Sequence, residues 1–313
     1  MMRRVESAKY GKIENLRVVE VPIPKPRRGE LLVRVHAIGV NPKDAIVRKG
    51  NFGVMTGRPP ITLGHDLAGE VVEAPARSGY RAGDRVYGMV NDFSGRAYAE
   101  YVCISPDEIA FMPSSLSFEE AAAIPLAAQT ALQALRDLGR VTEGKRVFIH
   151  GASGGVGTYA VQIARALGAE VTASSSAANR ELCLELGAHH HVDYKEQPPS
   201  SLSGEYDVFF DVFGNQNLDA IEHALSERGV YINTLPNARV FKQVARTLFS
   251  KKKAKLVVVR SRARDLAQLA ELAATGELKS IIAAVVPLSE VHEAHRLIET
   301  KRTRGKIILD PAR

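Results

Sequence analysis

A chain of 313 residues, 45% hydrophobic and 25% charged, is too long for one small core and too apolar for a disordered one. It fits two domains of roughly 100–200 residues each. The formal charge of +7 favours anionic ligands, while the two isolated cysteines, Cys103 and Cys183, exclude a cysteine-rich metal lobe.

No apolar run approaches the about 18 residues of a membrane span. No apolar core follows the basic start, so no signal peptide is visible and the chain reads as cytoplasmic. The first 120 residues read as short strands set off by Gly and Pro turns: Leu31, Val33 and Val35, then Val71-Val72, Arg85-Val86-Tyr87 and Tyr98–Ile104. Ser117-Phe118-Glu119-Glu120 is a capping box that starts a helix running through Ala121–Leu135. The domain boundary falls inside that helix, giving a β-rich domain over 1–123 and a second domain over 124–274. The remaining residues, 275–313, hold one helix (Glu290–Glu299) and one strand (Lys306–Leu309), too little for a domain, and are expected to rejoin the first.

Arg146-Val147-Phe148-Ile149-His150 reads as a buried strand running into Gly151-Ala152-Ser153-Gly154-Gly155-Val156-Gly157. Val156, Ala160, Ile163, Ala164 and Leu167 then mark one helix face, and Glu170-Val171-Thr172-Ala173 the next strand. Strand, glycine loop, helix and strand together make a dinucleotide site. Glycines let the backbone approach the pyrophosphate, and the helix start offers free N–H groups to Ser153, Gly154, Gly155 and Val156's anionic ligand. An NAD site ends its second strand in Asp or Glu; here the strand ends in Ser174-Ser175-Ser176, with Asn179 and Arg180 following. Hydroxyls and an arginine suit a 2′-phosphate, so NADPH is favoured over NADH, although the serines would also cap the next helix. Further strands at Tyr206–Asp211, Gly229–Ile232 and Leu256–Val259 alternate with helices, which implies an α/β, doubly wound parallel sheet with its ligand at the strands' carboxyl ends. Phe213 and Leu235 sit just past two such ends.

The run Lys251-Lys252-Lys253, with Lys255, reads as a solvated loop before a strand. It lacks the interleaved aromatics of a base-stacking platform, so nucleic acid is not the expected partner. His189-His190-His191 lies along a strand whose successive side chains point to opposite faces, which argues against a shared metal; His292 and His295 form an i, i+3 helix pair that is no stronger.

Several segments in order resemble the medium-chain dehydrogenase/reductase superfamily, in its quinone oxidoreductase and alkenal or enone reductase branch. They include Asn41-Pro42-Lys43-Asp44, Leu63-Gly64-His65-Asp66, Gly83-Asp84-Arg85-Val86-Tyr87-Gly88, the glycine loop and Gly305-Lys306-Ile307-Ile308-Leu309. The resemblance implies a GroES-like β-rich catalytic domain, a Rossmann domain, an active site in the cleft between them, and a homodimer. It implies that Asn41 and Thr130 lie near the nicotinamide, and Asp44 completes the candidate catalytic set. It implies further that Gly154, Gly155 and Val156 hold the pyrophosphate, and that Ser175, Arg180 and Tyr194 surround the 2′-phosphate, with Asn179 standing where many relatives have lysine.

Zinc-dependent members need three protein ligands. His65 stands in the right motif, but Asn41 occupies the first ligand position and Ala127–Ala128 the third, so no metal is expected and His65 reads as a hydrogen-bonded cleft or core histidine. Relatives often carry Tyr or Lys, close to the substrate, where this chain has Ile46; Lys43 and Arg48 are nearby candidate donors, though each reads rather as a surface charge. The expected function is zinc-independent hydride transfer from NADPH to a quinone or related conjugated carbonyl. The alternatives are an alkene-bond reductase of enals or enones, and an NADPH-binding protein with little turnover that acts through RNA or protein partners.

Overall fold

The structure, a computed structural model, describes residues 1–313, which divide into two compact units. One comprises Met1–Gln129 and Arg260–Arg313, the other Thr130–Val259. The chain therefore returns to its first unit at Arg260, earlier than the pattern suggested. The helix Ala263–Ala274 belongs there: Tyr87 Oη donates to the Leu266 carbonyl (2.5 Å), and Ser261 N–H to Asn91 Oδ1 (2.8 Å).

The first unit is built on a seven-stranded sheet in which Leu31–Val40 is the central strand. This strand is buried along almost its whole length, as its Val- and Ile-rich sequence requires. Asp66–Glu73 pairs with it antiparallel on one side, and two irregularities in that register bend the strand and strengthen its twist. On its other side Lys306–Asp310 pairs antiparallel, with Ile307 opposite Val40 and Leu309 opposite Ile38. The C-terminal segment thus rejoins the first unit, and the pairing brings Lys306 beside Asn41. Met2–Ser7 and Leu16–Val21, two strands the sequence pattern does not reveal, form a smaller sheet with Ile61–Thr62.

Three expectations shift. The single helix through 121–135 is three pieces, Phe118–Ala123, Pro125–Leu132 and a π-helical Gln133–Leu138. Pro125 has no N–H to continue the first piece and starts the second at the position helices tolerate it. The strand expected at Leu256–Val259 is Lys253–Leu256. Tyr98–Ile104 is a strand only over Tyr101–Ile104, with Ala99 bridging Arg4.

The second unit has six parallel strands, in the order 3-2-1-4-5-6 counted along its own chain. That is the doubly wound dinucleotide-binding topology. Strand one is Arg146–His150, and helix Gly155–Ala166 carries the chain to strand two, Glu170–Ser175. Phe148 and Phe209 stack in one face of the core, with the Tyr231 ring tilted beside Phe209. The basic run is turned onto its own unit: Lys251 pairs with Glu227, while Lys252, Lys253 and Lys255 donate to backbone carbonyls. No helix in the molecule is long and apolar enough to cross a membrane.

Candidate active site

In the second unit the glycine loop is fixed by one carbonyl. Ser174 O accepts from both Gly151 N–H and Ala152 N–H at 3.0 Å, with Gly151 in the left-handed region at φ +84°. The helix begins at Gly154 without a side-chain cap, so its first N–H groups face outward, an arrangement that fits a pyrophosphate. Ser153, Gly154, Gly155 and Val156 are half-buried at that surface. Asn179 Nδ2 donates to Ser153 Oγ (3.1 Å) and Ser176 Oγ (3.2 Å), tying the loop to the end of strand two.

The serines at that end differ in their surroundings. Ser174 and Ser175 are buried, Ser174 Oγ lying 3.4 Å from His150 Nδ1 and Ser175 Oγ 2.8 Å from His191 Nε2. Ser176 and Arg180 reach the surface. Tyr194, Phe213 and Leu235 form an exposed apolar fringe at the strands' carboxyl ends, 42%, 43% and 36% accessible. A residue sequence reasoning missed, Asp211, holds the turn that follows Phe213. Its carboxylate accepts from Gly214 N–H and Gln216 N–H (both 2.8 Å), Tyr231 Oη (3.0 Å) and Asn233 Nδ2 (3.2 Å). Burial raises its pKa, and the Gln216 and Gly214 N–H groups, the charge of His150 and Tyr231 Oη pull it back. Its only signal in the sequence was its place at the carboxyl end of a strand. Thr130 is buried on the Pro125–Leu132 helix.

In the first unit, Asn41 opens the helix Pro42–Arg48 with a capping box: Asp44 Oδ2 accepts the Asn41 N–H at 2.8 Å. Asp44 also accepts from Tyr98 Oη (3.0 Å) and faces His65 Nδ1 (2.7 Å). Burial would raise the Asp44 pKa, but the hydrogen bond and charge of His65, with the Asn41 N–H, hold it below the ordinary carboxylate value. The Asn41 amide is fully engaged: its Oδ1 accepts from Lys306 Nζ at 2.6 Å and its Nδ2 donates to Asp66 Oδ2 at 3.0 Å. Lys306 Nζ closes the triangle on Asp66 Oδ2 at 3.1 Å, and Asp66 Oδ1 takes the Leu126 N–H at 2.8 Å. Burial pushes the Asp66 carboxyl up against the pull of Lys306 and Asn41. Lys306 and Asp66 are therefore central residues that sequence reasoning passed over. The available signals were an acid beside His65 and a lysine opening an apolar strand.

Zinc does not fit this set. His65 Nδ1 faces Asp44 and its Nε2 the Phe93 carbonyl (3.3 Å), the Asn41 oxygen is held by Lys306, and Ala127 and Ala128 offer no donor. His189, His190 and His191 turn to different partners, Arg165, Glu170 and Ser175.

Arg48 corrects its expectation as a surface charge. It is buried, donates to the Gly11 carbonyl and the Glu299 carboxylate, and directs Nε at His295 Nδ1 (3.3 Å). Burial above all, with the Arg48 charge, pulls the His295 pKa from an ordinary 6.5 to about 4. Between those values the unfolded chain takes up a proton that the folded chain refuses, so stability falls as the pH drops through this window. We expect the loss to reach about 3 kcal/mol by the lower end. Urea unfolding from pH 7 to 4 should show a shallower decline in His295→Phe than in wild type; equal slopes would exclude His295 as the source.

Comparison with known proteins agrees with this geometry. Residues 27–114 match the alcohol dehydrogenase GroES-like domain, and 186–309 match the zinc-binding dehydrogenase family. A chloroplastic quinone-oxidoreductase homolog from Spinacia oleracea is 33% identical over 99% of both chains. The chain belongs to the medium-chain dehydrogenase/reductase superfamily, in its quinone oxidoreductase branch. The solved quinone oxidoreductase of Coxiella burnetii superposes with a TM-score of 0.91 at 31% identity, over 99% of each chain. A 2-methylene-furan-3-one reductase from Solanum lycopersicum is 31% identical over 96% of this chain and 77% of its own. Membership makes the chain an oxidoreductase, and the superfamily fold implies a nicotinamide cofactor and a small-molecule substrate.

Proposed function

We propose that this enzyme transfers a hydride from NADPH to a quinone or related conjugated carbonyl, without zinc. The observation that carries the reading is the closed network around Asn41. Where a zinc-dependent relative needs ligands with free lone pairs, this chain has an amide, an imidazole and a carboxylate already committed to one another and to Lys306. A substrate whose reduced oxygen is stable as a delocalised anion suits a site with no Lewis acid, and a quinone is such a substrate.

NADPH supplies the hydride when bound; the protein orients it and excludes water. The outward N–H groups at Gly154–Val156 would hold its pyrophosphate, and Tyr194, Phe213 and Leu235 would flank its rings. Support for NADPH over NADH comes from the end of strand two, where Ser176 is half-buried and Arg180 exposed. The nearby Asp193 carboxylate is turned to the N–H groups of Ala177 (3.0 Å) and Lys195 (2.9 Å), rather than offered to a ribose hydroxyl.

The alkene-bond reduction of an enone is the second reading, favoured by the name of the Solanum relative. A homodimer is supported by the open edge strand Lys253–Leu256, which runs on into Val258, 74% exposed, a edge that a second copy would cover.

The test is NADPH oxidation by chelator-treated protein against 1,4-benzoquinone, 9,10-phenanthrenequinone and a 2-alkenal, with NADH as control. We expect rapid quinone-dependent turnover with NADPH that added zinc does not raise. Activity that appears only with zinc would sink the metal-free reading, and activity with the alkenal alone would move the assignment to the second. Arg180→Ala should narrow the preference for NADPH over NADH by about tenfold.

A further inference from the structure

Reduction of a conjugated carbonyl leaves negative charge on the substrate oxygen, and Ile46 offers it no donor. One cation of the helix that Asn41 caps is free to act. Lys43 lies one turn before Ile46 on the helix that Asn41 caps, so the two share a helix face. It is half-buried and makes no hydrogen bond or ion pair. Its ammonium instead stands over the Phe93 ring, 5.5 Å from the centroid, and Phe93 packs edge-on against Phe52 at 4.9 Å. Phe52 leads into the short helix Gly53–Thr56, where Val54 and Met55 are exposed. An ammonium without a hydrogen bond or ion pair, held over an aromatic ring and on the helix face of Ile46, fits a flat, apolar molecule that carries one anionic oxygen.

We propose that Lys43 is the catalytic acid of this enzyme and contacts the substrate oxygen, an inference that rests on the hydride-transfer reading above. Hydride from NADPH adds two electrons and one hydrogen to the quinone and leaves a hydroquinone monoanion and NADP⁺. Lys43 then gives its proton: an N–H bond breaks, an O–H bond forms, the neutral hydroquinone leaves, and solvent returns a proton to the amine. The surroundings suit the task. Burial lowers the Lys43 pKa, and Asp44 on its own helix, Asp66 on the neighbouring strand and Asp92 on the Phe93 loop pull it back up. His65 faces Asp44, Asp66 is paired with Lys306 and Asp92 with Arg96, so none of these carboxylates closes directly on Lys43.

The experiment compares full-length wild type with Lys43→Met and Lys43→Arg. Steady-state NADPH oxidation with 1,4-benzoquinone is followed from about pH 6 to pH 10, and binding of p-nitrophenol is followed by its absorbance without NADPH. In wild type, kcat should fall on the alkaline side as Lys43 loses its proton, below the pH of an ordinary lysine. Lys43→Met should lose about 100-fold in kcat, with little change in KM, and lose that alkaline limb; Lys43→Arg should recover part of the rate and move the limb upward. Bound p-nitrophenol should ionise at lower pH than the free phenol on wild type but not on Lys43→Met. A Lys43→Met enzyme that keeps kcat within about threefold, together with the alkaline limb, overturns the proposal. If wild type oxidises NADPH with no quinone, the hydride-transfer reading fails by itself. The phenol titration then still decides on Lys43: a shift lost in Lys43→Met upholds an oxyanion contact, and no shift in wild type removes it.

Discussion

Replacing Lys306 with Met should destabilise the first unit by about 3–5 kcal/mol, the cost of breaking a buried ion pair from one side. The reason lies in what remains. Asp66 would keep a carboxylate out of water with only the Asn41 amide and the Leu126 N–H to satisfy it. Asn41 Oδ1 would lose its acceptor role, and with it the contact that orients the amide. Removing both charges should be milder than removing one, so Lys306→Met with Asp66→Leu is expected to recover part of the loss, and the double-mutant cycle gives the coupling directly. The pH dependence has a definite sign. A buried carboxyl whose pKa is raised costs stability fully above its folded pKa, and that cost disappears as the pH falls toward its unfolded value. The deficit of Lys306→Met should therefore shrink as the medium is acidified. Urea titrations at several pH values measure both effects. A single variant as stable as wild type at neutral pH would mean that the pair is not holding the Asn41 turn.

That triangle shows where reading the sequence stops. Lys306 lies 265 residues from Asn41 and 240 from Asp66, and no local period joins them. The apolar run that follows Lys306 announces a strand, but not that the strand will pair with Leu31–Val40 and place its first residue beside the helix cap. Arg48 fails for the same reason, since its partners Gly11, His295 and Glu299 converge only once the C-terminal segment has returned. The dinucleotide unit was legible because its determinants are contiguous: glycines, helix face and flanking strands fall within about thirty residues, the span of one βαβ unit. Alternating strands and helices gave the parallel sheet, although not the order 3-2-1-4-5-6, which depends on crossovers. Nor does a strand's own period tell which of Ser174, Ser175 and Ser176 is covered; the neighbouring His150 and His191 decide that. The break at Pro125, by contrast, is legible in the sequence, since a proline has no N–H to continue a helix, even where the alanine-rich pattern around it runs on.

Two glycines of the same loop should fail in different ways when each is changed to alanine. A Cβ on Gly157 would stand 2.1 Å from the Gly151 carbonyl oxygen and 2.7 Å from the Ala152 backbone. Those atoms belong to the turn that Ser174 O holds, so the clash cannot relax without moving the loop. Gly157→Ala is therefore expected to cost about 3 kcal/mol, the upper range for overpacking, and, on the proposed function, to weaken NADPH about 100-fold or more because the N–H groups proposed to hold the pyrophosphate shift together. A Cβ on Gly154 meets only the Gly151 oxygen, at an ordinary 3.5 Å, and the backbone there, at φ −80°, accepts any residue. Gly154→Ala should leave the melting temperature unchanged or slightly higher, since alanine restricts the unfolded chain. On the proposed function it should nonetheless weaken NADPH about tenfold, because the added methyl group stands at the helix start, where the pyrophosphate is proposed to approach the backbone. Thermal unfolding and fluorescence titration with NADPH, run on both variants, separate a loop that is packed from one that is packed and used. Unchanged cofactor affinity in Gly154→Ala would place the pyrophosphate elsewhere, and a stable Gly157→Ala would show that the loop can yield at its tightest point.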